Sequence, residues 1–189
     1  EDIGAANALY RPGPMSQIPH YIARKFHQEK VEYPHDDLKD ILKSTYGIII
    51  YQEQLMQVAQ KIAGFSLAKA DILRQATSKK TLGLMESMKE EFISGALKKG
   101  YEKNQAEYIF GLIEKFADYG FNKAHAIAYG LIGYQLAYLK ANYPLSFYGA
   151  ILSNEQNSDV HKMEYIAEAK KYQIRILPPS INYSEHYFK

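Results

Sequence analysis

Gln52-Glu53-Gln54-Leu55-Met56-Gln57-Val58-Ala59-Gln60-Lys61-Ile62-Ala63-Gly64 is the stretch that decides the fold class. Leu55, Met56, Ala59, Ile62 and Ala63 recur at i, i+3/i+4 and i+7, the spacing of one face of an α-helix. Gly64 stands where a helix turns off into left-handed backbone. The residues just before this stretch have another character. Tyr46-Gly47-Ile48-Ile49-Ile50-Tyr51 is β-branched and aromatic and reads as a buried strand or extended segment, although six residues do not separate that from helix.

Helical spacing continues downstream. Ser66 or Leu67 opens a helix through Ala76, with a break expected at Thr77-Ser78. Residues 79–100 then form a longer one with Leu82, Met85, Met88, Phe92 and Ala96 on one stripe, and Lys98 and Lys99 complement the negative end of its dipole. Asn104 with Glu107 has the form of an N-cap and its reciprocating acid, ahead of the apolar face Ile109, Phe110, Ile113, Phe116 and Ala117. Gly120 interrupts that helix, and Asn122 caps the longest one, which runs to Asn142 before Tyr143-Pro144 with Ile127, Leu131, Tyr134 and Tyr138 at helical spacing. A short apolar helix reaches Leu152, a polar loop covers 153–157, and Ser158 caps a last helix to Tyr172. Ile174-Arg175-Ile176-Leu177 alternates as a strand does and is stopped by Pro178-Pro179.

Upstream, Pro12-Gly13 marks a turn, and Pro14 blocks helix there. Ser16 is placed to cap a short helix carrying Ile18, Tyr21, Ile22 and Lys25, and a second follows Asp36-Asp37 with Leu38, Ile41 and Leu42 inward. The expected fold is mainly α with one or two short extended segments. Residues 1–152 form its helical core, and 153–189 a C-terminal helix and extended exit segment.

Composition bounds the function. With 189 residues, 47% hydrophobic and 23% charged, the chain can close a sizeable core. A net charge of +2 is too small for a long-range basic field, so any phosphate contact has to come from local clusters. The absence of cysteine excludes disulfides and thiolate metal sites and suits a reducing compartment such as the cytoplasm. No apolar run reaches the roughly 18 to 20 residues of a membrane span. The chain starts without Met and ends on Tyr187-Phe188-Lys189, which reads as a piece of a longer polypeptide. Phosphate-loop, dinucleotide-binding, zinc-protease and nucleophile-elbow patterns are all missing, and the six histidines have no ligand spacing.

Three clusters carry chemistry. Lys69, Arg74, Lys79 and Lys80 stand against the single acid Asp71, a local excess of three positive charges. One planar fork and two point charges about a short turn make a phosphate clamp; the plain alternative is a solvated helix end. In Tyr119-Gly120-Phe121-Asn122-Lys123-Ala124-His125-Ala126-Ile127-Ala128-Tyr129, the residues Asn122, His125 and Tyr129 share one helix face, with Lys123 about 100° round. Free N–H groups at that helix start, with Lys123 and His125, suit an anion; the plain alternative is a capping Asn, a core His and a packed Tyr. Third, the amides of Gln52 and Gln54 beside Tyr46 and Tyr51 are suited to base edges or a template backbone, or else belong to a buried segment feeding a helix. The 17 tyrosines fit base stacking and amphipathic packing equally.

Taken in order, Ala8-Leu9-Tyr10-Arg11-Pro12-Gly13-Pro14-Met15, Tyr46-Gly47-Ile48-Ile49-Ile50-Tyr51-Gln52-Glu53-Gln54, Ala70-Asp71-Ile72-Leu73-Arg74, Lys79-Lys80 and Phe121-Asn122-Lys123-Ala124-His125-Ala126 resemble the C-family of bacterial replicative DNA polymerases, the α subunits of DNA polymerase III, over their fingers region. The likeness runs from about Asp2 to Phe188 and closes on Ile176-Leu177-Pro178-Pro179-Ser180-Ile181-Asn182. It implies part of a DNA-directed DNA polymerase, a nucleotidyltransferase of chromosomal replication. By that resemblance Arg74, Lys79 and Lys80 match the basic fingers motif and Asn122, Lys123 and His125 the Asn-Lys-x-His block, so these six would bind the triphosphate of the incoming dNTP. Arg11, Tyr51, Gln52 and Tyr129 would lie near the template-primer end.

The resemblance also implies that the palm, upstream of this chain, holds Mg2+ through its own acids. This chain would then carry no catalytic residue or metal, and alone would be inactive. Implied partners are the dNTP, primer-template DNA, the palm domain of the same polymerase and, through the full-length protein, the sliding clamp and other replisome subunits, with no membrane. Gln75 stands where the family commonly has a second Arg, and Thr77 where it usually has Met. Two other classes stay open, a non-catalytic helical DNA- or protein-binding module and a small stand-alone hydrolase or nucleotidyltransferase, and the separation of Arg74 from His125 discriminates among them.

Overall fold

The computed structural model describes residues 1–79, 82–116, 120–155, 158–185 and 188. Among them are ten α-helices, short 3-10 turns and no strand. The chain divides into two compact units, Glu1–Gly130 and Leu131–Lys189.

The first unit is built around α4 (Gln52–Ala63). Of its sequence-predicted face, Leu55, Ala59, Ile62 and Ala63 are buried together with Val58 while Met56 is half-buried, and Gly64 ends the helix at φ 68°. Against it lie α3 (Lys39–Leu42), α5 (Leu67–Lys79) and α6 (Leu82–Lys98), and α7 (Lys103–Phe116) lies on α6. Leu38, Leu42, Leu73, Phe92, Ile109, Phe110 and Ile113 complete this core at 0% exposure. Burial of each such side chain contributes roughly 1.5–3 kcal/mol, which is what keeps short helices of ordinary propensity folded. Gly95 lets α6 approach α4 closely, because a Cβ there would lie 2.2 Å from the Ala63 carbonyl oxygen.

A second, smaller core joins α1 (Asp2–Leu9), α2 (Ile18–Lys25) and the extended residues before α4. Ala5, Ala8, Leu9, Tyr21, Ile48, Ile50, Tyr51 and Ala126 are buried in it. Its polar centre is Gln54, only 3% exposed. The Gln54 carbonyl oxygen accepts from the backbone N–H groups of Ile50 (3.0 Å) and Tyr51 (3.1 Å), and its amide donates to the Thr45 hydroxyl at 2.7 Å. Thr45 in turn donates to the Ile48 carbonyl at 2.6 Å. These bonds satisfy a backbone that has no ladder partner over most of its length, so 48–51 is extended without being a strand.

Several local expectations need correction. α5 does not break at Thr77-Ser78 but runs to Lys79, since the Thr77 hydroxyl bonds back to the Arg74 carbonyl at 2.7 Å and stays within the helix. Lys79 therefore closes α5 and does not open α6. Pro14 begins a 3-10 turn (Pro14–Gln17) where no helix was expected, its missing N–H costing nothing at a first helical position. The Ser16 hydroxyl donates to the Gly13 carbonyl and does not cap α2. α7 starts at Lys103, which puts Asn104 inside the first turn. Ile174–Leu177 pairs with no strand among the described residues. Ala117 lies outside the described residues.

α8 (Lys123–Asn142) is the longest helix, as its spacing predicts, but its expected inward residues are not inside. Ile127, Leu131, Tyr134 and Tyr138 are 44–59% exposed, and Ala126 and Gly130 are the buried positions. A helix that is apolar almost all round specifies no single face, and the small residues allow the close approach to α1: a Cβ on Gly130 would lie 3.4 Å from the Gly4 nitrogen.

In the second unit, α9 (Pro144–Asn154) packs on α10 (Asp159–Lys171) around Tyr148, Leu152 and Ala169. Lys140 reaches Glu168 at 2.6 Å and holds that carboxyl below its ordinary range. The polar stretch after Leu152 therefore falls inside this unit. Ser158 caps α10 as read, accepting from His161 N–H.

Candidate functional site

The starts of α4 and α8 are tied together by a short run of backbone. Phe121 N–H donates to the Ile50 carbonyl (3.4 Å) and Gln52 N–H to the Phe121 carbonyl (2.9 Å), a single parallel bridge between Tyr51 and Phe121. The Gln52 side-chain amide donates to the Gly120 carbonyl at 3.2 Å. Both oxygens of Glu53 accept from Lys123 N–H, at 3.0 and 3.2 Å. The Asn122 side chain caps α8 as read from the sequence, accepting from His125 N–H at 2.8 Å. Gly120 permits this approach, for a Cβ there would stand 2.9 Å from the Phe116 ring and 3.1 Å from Gln52 Cγ.

Above that joint stands a series of rings and cations. Phe121, His125 and Tyr129, four residues apart, have successive ring centroids 5.4 and 4.4 Å apart. The Arg11 guanidinium lies 4.4 Å over the Phe121 ring and donates to the Ala8 carbonyl. Burial pulls Arg11 below its ordinary basicity, yet an arginine so shifted is still a cation. Lys123 Nζ lies 5.7 Å over the Tyr51 ring, and burial pushes that phenol up.

Arg11, Tyr51, Gln52, Asn122, Lys123, His125 and Tyr129 thus gather in one patch of the first unit. Three expectations change with this geometry. His125 is an exposed ring tilted between those of Phe121 and Tyr129, not a core histidine. The N–H groups of Lys123 and His125 are already accepted by Glu53 and Asn122, so an anion at this helix start would not meet those two groups. Tyr51, at 3% exposure, is a floor under Lys123, and Gln54 serves its buried network and cannot meet a base edge.

Arg74 lies on α5. Its Nε donates to Asp71 at 2.7 Å, and Gln75 donates to the other oxygen of the same carboxylate at 2.8 Å. The Arg74 bond first, then that of Gln75, holds Asp71 below the ordinary carboxylate range. The two departures from the family pattern thereby have structural roles, Gln75 steadying Asp71 and Thr77 bonding the Arg74 carbonyl. Lys69 pairs with Glu91 and lies 4.5 Å over Phe65, which commits it to structure. Lys80 lies outside the described residues.

Glu53, Phe121 and Asp71 are the residues that sequence reasoning passed over as site members. An acid in a first helical turn is a visible signal, but its partner 70 residues away is not. Among the described residues no group of three or more His, Asp or Glu is arranged to hold a metal, and no helix is long and apolar enough to cross a membrane.

The meeting of the two helix starts thus carries two half-buried cations, Arg11 and Lys123, beside the exposed rings of His125 and Tyr129. Residues 1–100 match the finger domain of the bacterial DNA polymerase III alpha subunit. The whole chain is 54% identical to DNA polymerase III subunit alpha of Borreliella burgdorferi, covering 16% of that protein. It is 52% identical to that of Bacillus subtilis, covering 17%, and 54% identical to that of Treponema pallidum, covering 16%. The chain belongs to the finger-domain family of bacterial DNA polymerase III alpha subunits, and it spans about a sixth of the length of these relatives.

Proposed function

We propose that this chain grips the triphosphate of an incoming dNTP, and the template-primer end beside it, during nucleotidyl transfer by a replicative DNA polymerase. The observation that best supports the reading is the tilted ring series Phe121–His125–Tyr129, exposed at His125 and Tyr129, with the Arg11 guanidinium over Phe121 and the Lys123 ammonium over the neighbouring Tyr51 ring. Ring faces accept any base, and fixed cations favour the charge that grows on the leaving phosphates. Lys123, Asn122 and His125 are assigned to the triphosphate, and so are Arg74, Lys79 and Lys80. Arg11, Gln52 and Tyr129 are assigned to the template-primer side, with Tyr51 supporting Lys123 from below.

In this reading 1–152 is the fingers core and 153–189 the segment that leaves it. The palm of the same polymerase would hold Mg2+ through its own acids, outside this chain. The sliding clamp and other replisome subunits are met through the full-length cytoplasmic protein. What the chain itself contributes is position and charge, through residues already held by hydrogen bonds before substrate arrives.

Lys123→Ala in the full-length polymerase should raise KM for dNTP roughly tenfold, with the Kd for primer-template unchanged, because the contact is to the triphosphate. Titration of labelled primer-template beside steady-state kinetics checks this. Equal weakening of both would move the reading to a DNA-binding module. The isolated 189-residue chain should fold and extend no primer with magnesium or manganese. Template-directed synthesis by that chain, purified free of host polymerase, would overturn the division between fingers and palm.

A further inference from the structure

We infer that Glu53 is a positioning residue, fixing the start of α8 so that Lys123 and His125 stand where the triphosphate is read. The inference rests on the function proposed above for α8.

Glu53 lies in the first turn of α4, where an acid ordinarily serves its own helix. Here that helix start has other acceptors: Gln52 N–H goes to the Phe121 carbonyl, and Gln54 and Leu55 N–H both go to the carbonyl of the capping residue Tyr51. The carboxylate turns across to α8 instead, both oxygens on Lys123 N–H. At α8 the Asn122 side chain takes His125 N–H and its carbonyl takes Ala126 N–H. Among the described residues, Lys123 N–H has its acceptor in Glu53. One acid therefore sits at two positive helix ends and closes the joint that Gln52 and Phe121 begin. It also takes the Lys123 N–H that an anion would otherwise meet at the start of α8, which favours the Lys123 ammonium and the His125 ring as phosphate contacts.

Reach and charge separate by substitution. Glu53→Asp keeps the charge and withdraws the acceptor by one methylene, whereas Glu53→Gln keeps the acceptor and removes the charge. In the full-length polymerase, Glu53→Asp should raise KM for dNTP roughly tenfold with little change in kcat, since a misplacement of about 1 Å is costly to a positioned group. Glu53→Gln should stay at or below the parent KM, with thermal unfolding lowered only slightly by the charge lost from two helix starts. Parent-like KM in both variants, or kcat and Tm falling in step without a KM shift, would overturn the inference. Should Glu53→Asp not fold, amide exchange at Lys123 in Glu53→Gln decides, with retained protection supporting the inference and lost protection overturning it. Lys123→Ala run in parallel keeps the two ideas apart. An unchanged KM there defeats the reading of α8, while a raised KM there beside a parent-like Glu53→Asp defeats the positioning role alone.

Discussion

Gln54→Leu should lower the unfolding free energy of this chain by roughly 3–5 kcal/mol, through the loss of hydrogen bonds in a place water does not reach. The Gln54 oxygen serves two backbone N–H groups, those of Ile50 and Tyr51, and its amide serves the Thr45 hydroxyl and the Ile41 carbonyl. Leucine fills a similar volume and answers none of these groups. Each orphaned buried N–H costs about 1–3 kcal/mol, which outweighs the small apolar gain. Gln54→Glu would fare no better, since a carboxylate could accept from the two N–H groups while offering nothing to the Ile41 carbonyl and burying a charge. The effect reaches the functional patch, because Ile50 carries one of the bonds that holds Phe121. Urea unfolding of parent and variant checks it, and a loss below about 1 kcal/mol would show that the segment finds other partners.

Arg74→Ala in the full-length polymerase should lower kcat/KM for incorporation at least tenfold and leave primer-template affinity nearly unchanged. Removal of one preorganised donor to developing charge typically costs about 3–4 kcal/mol, which sets the upper end of the effect. The structure adds a condition: Asp71 pins Arg74 through Nε, and Gln75 pins Asp71. Asp71→Asn should therefore reproduce part of the Arg74 loss, by releasing the guanidinium from its set orientation. Steady-state kinetics beside a DNA titration tests both variants. Equal losses of incorporation and DNA binding would place Arg74 on the duplex, and parent-like kinetics would remove it from the site altogether.

Local pattern carried far where one helix face is clearly apolar. Leu55, Ala59 and Ile62 in α4, and Ile109, Phe110 and Ile113 in α7, are inside because period and hydrophobicity agree at every turn. Caps were equally legible at Asn122 and Ser158, where the partner N–H is three residues away. The same pattern fails on α8, whose apolar residues surround the helix and leave the choice of face to Ala126 and Gly130 against α1. It fails again at Thr77, where composition suggests a break and a back-bonded hydroxyl continues the helix.

The family, the mainly α fold and the cationic residue types were all present in the sequence, because they follow from neighbours along the chain. That His125 stands in the open between the rings of Phe121 and Tyr129, that Gln54 is a buried linchpin and Gln52 a bridge to Gly120, and that Glu53 accepts from Lys123 N–H were decided by the fold alone. A side chain's partner across some 70 residues is set by how helices pack, and only the packed core brings the starts of α4 and α8 within hydrogen-bonding distance.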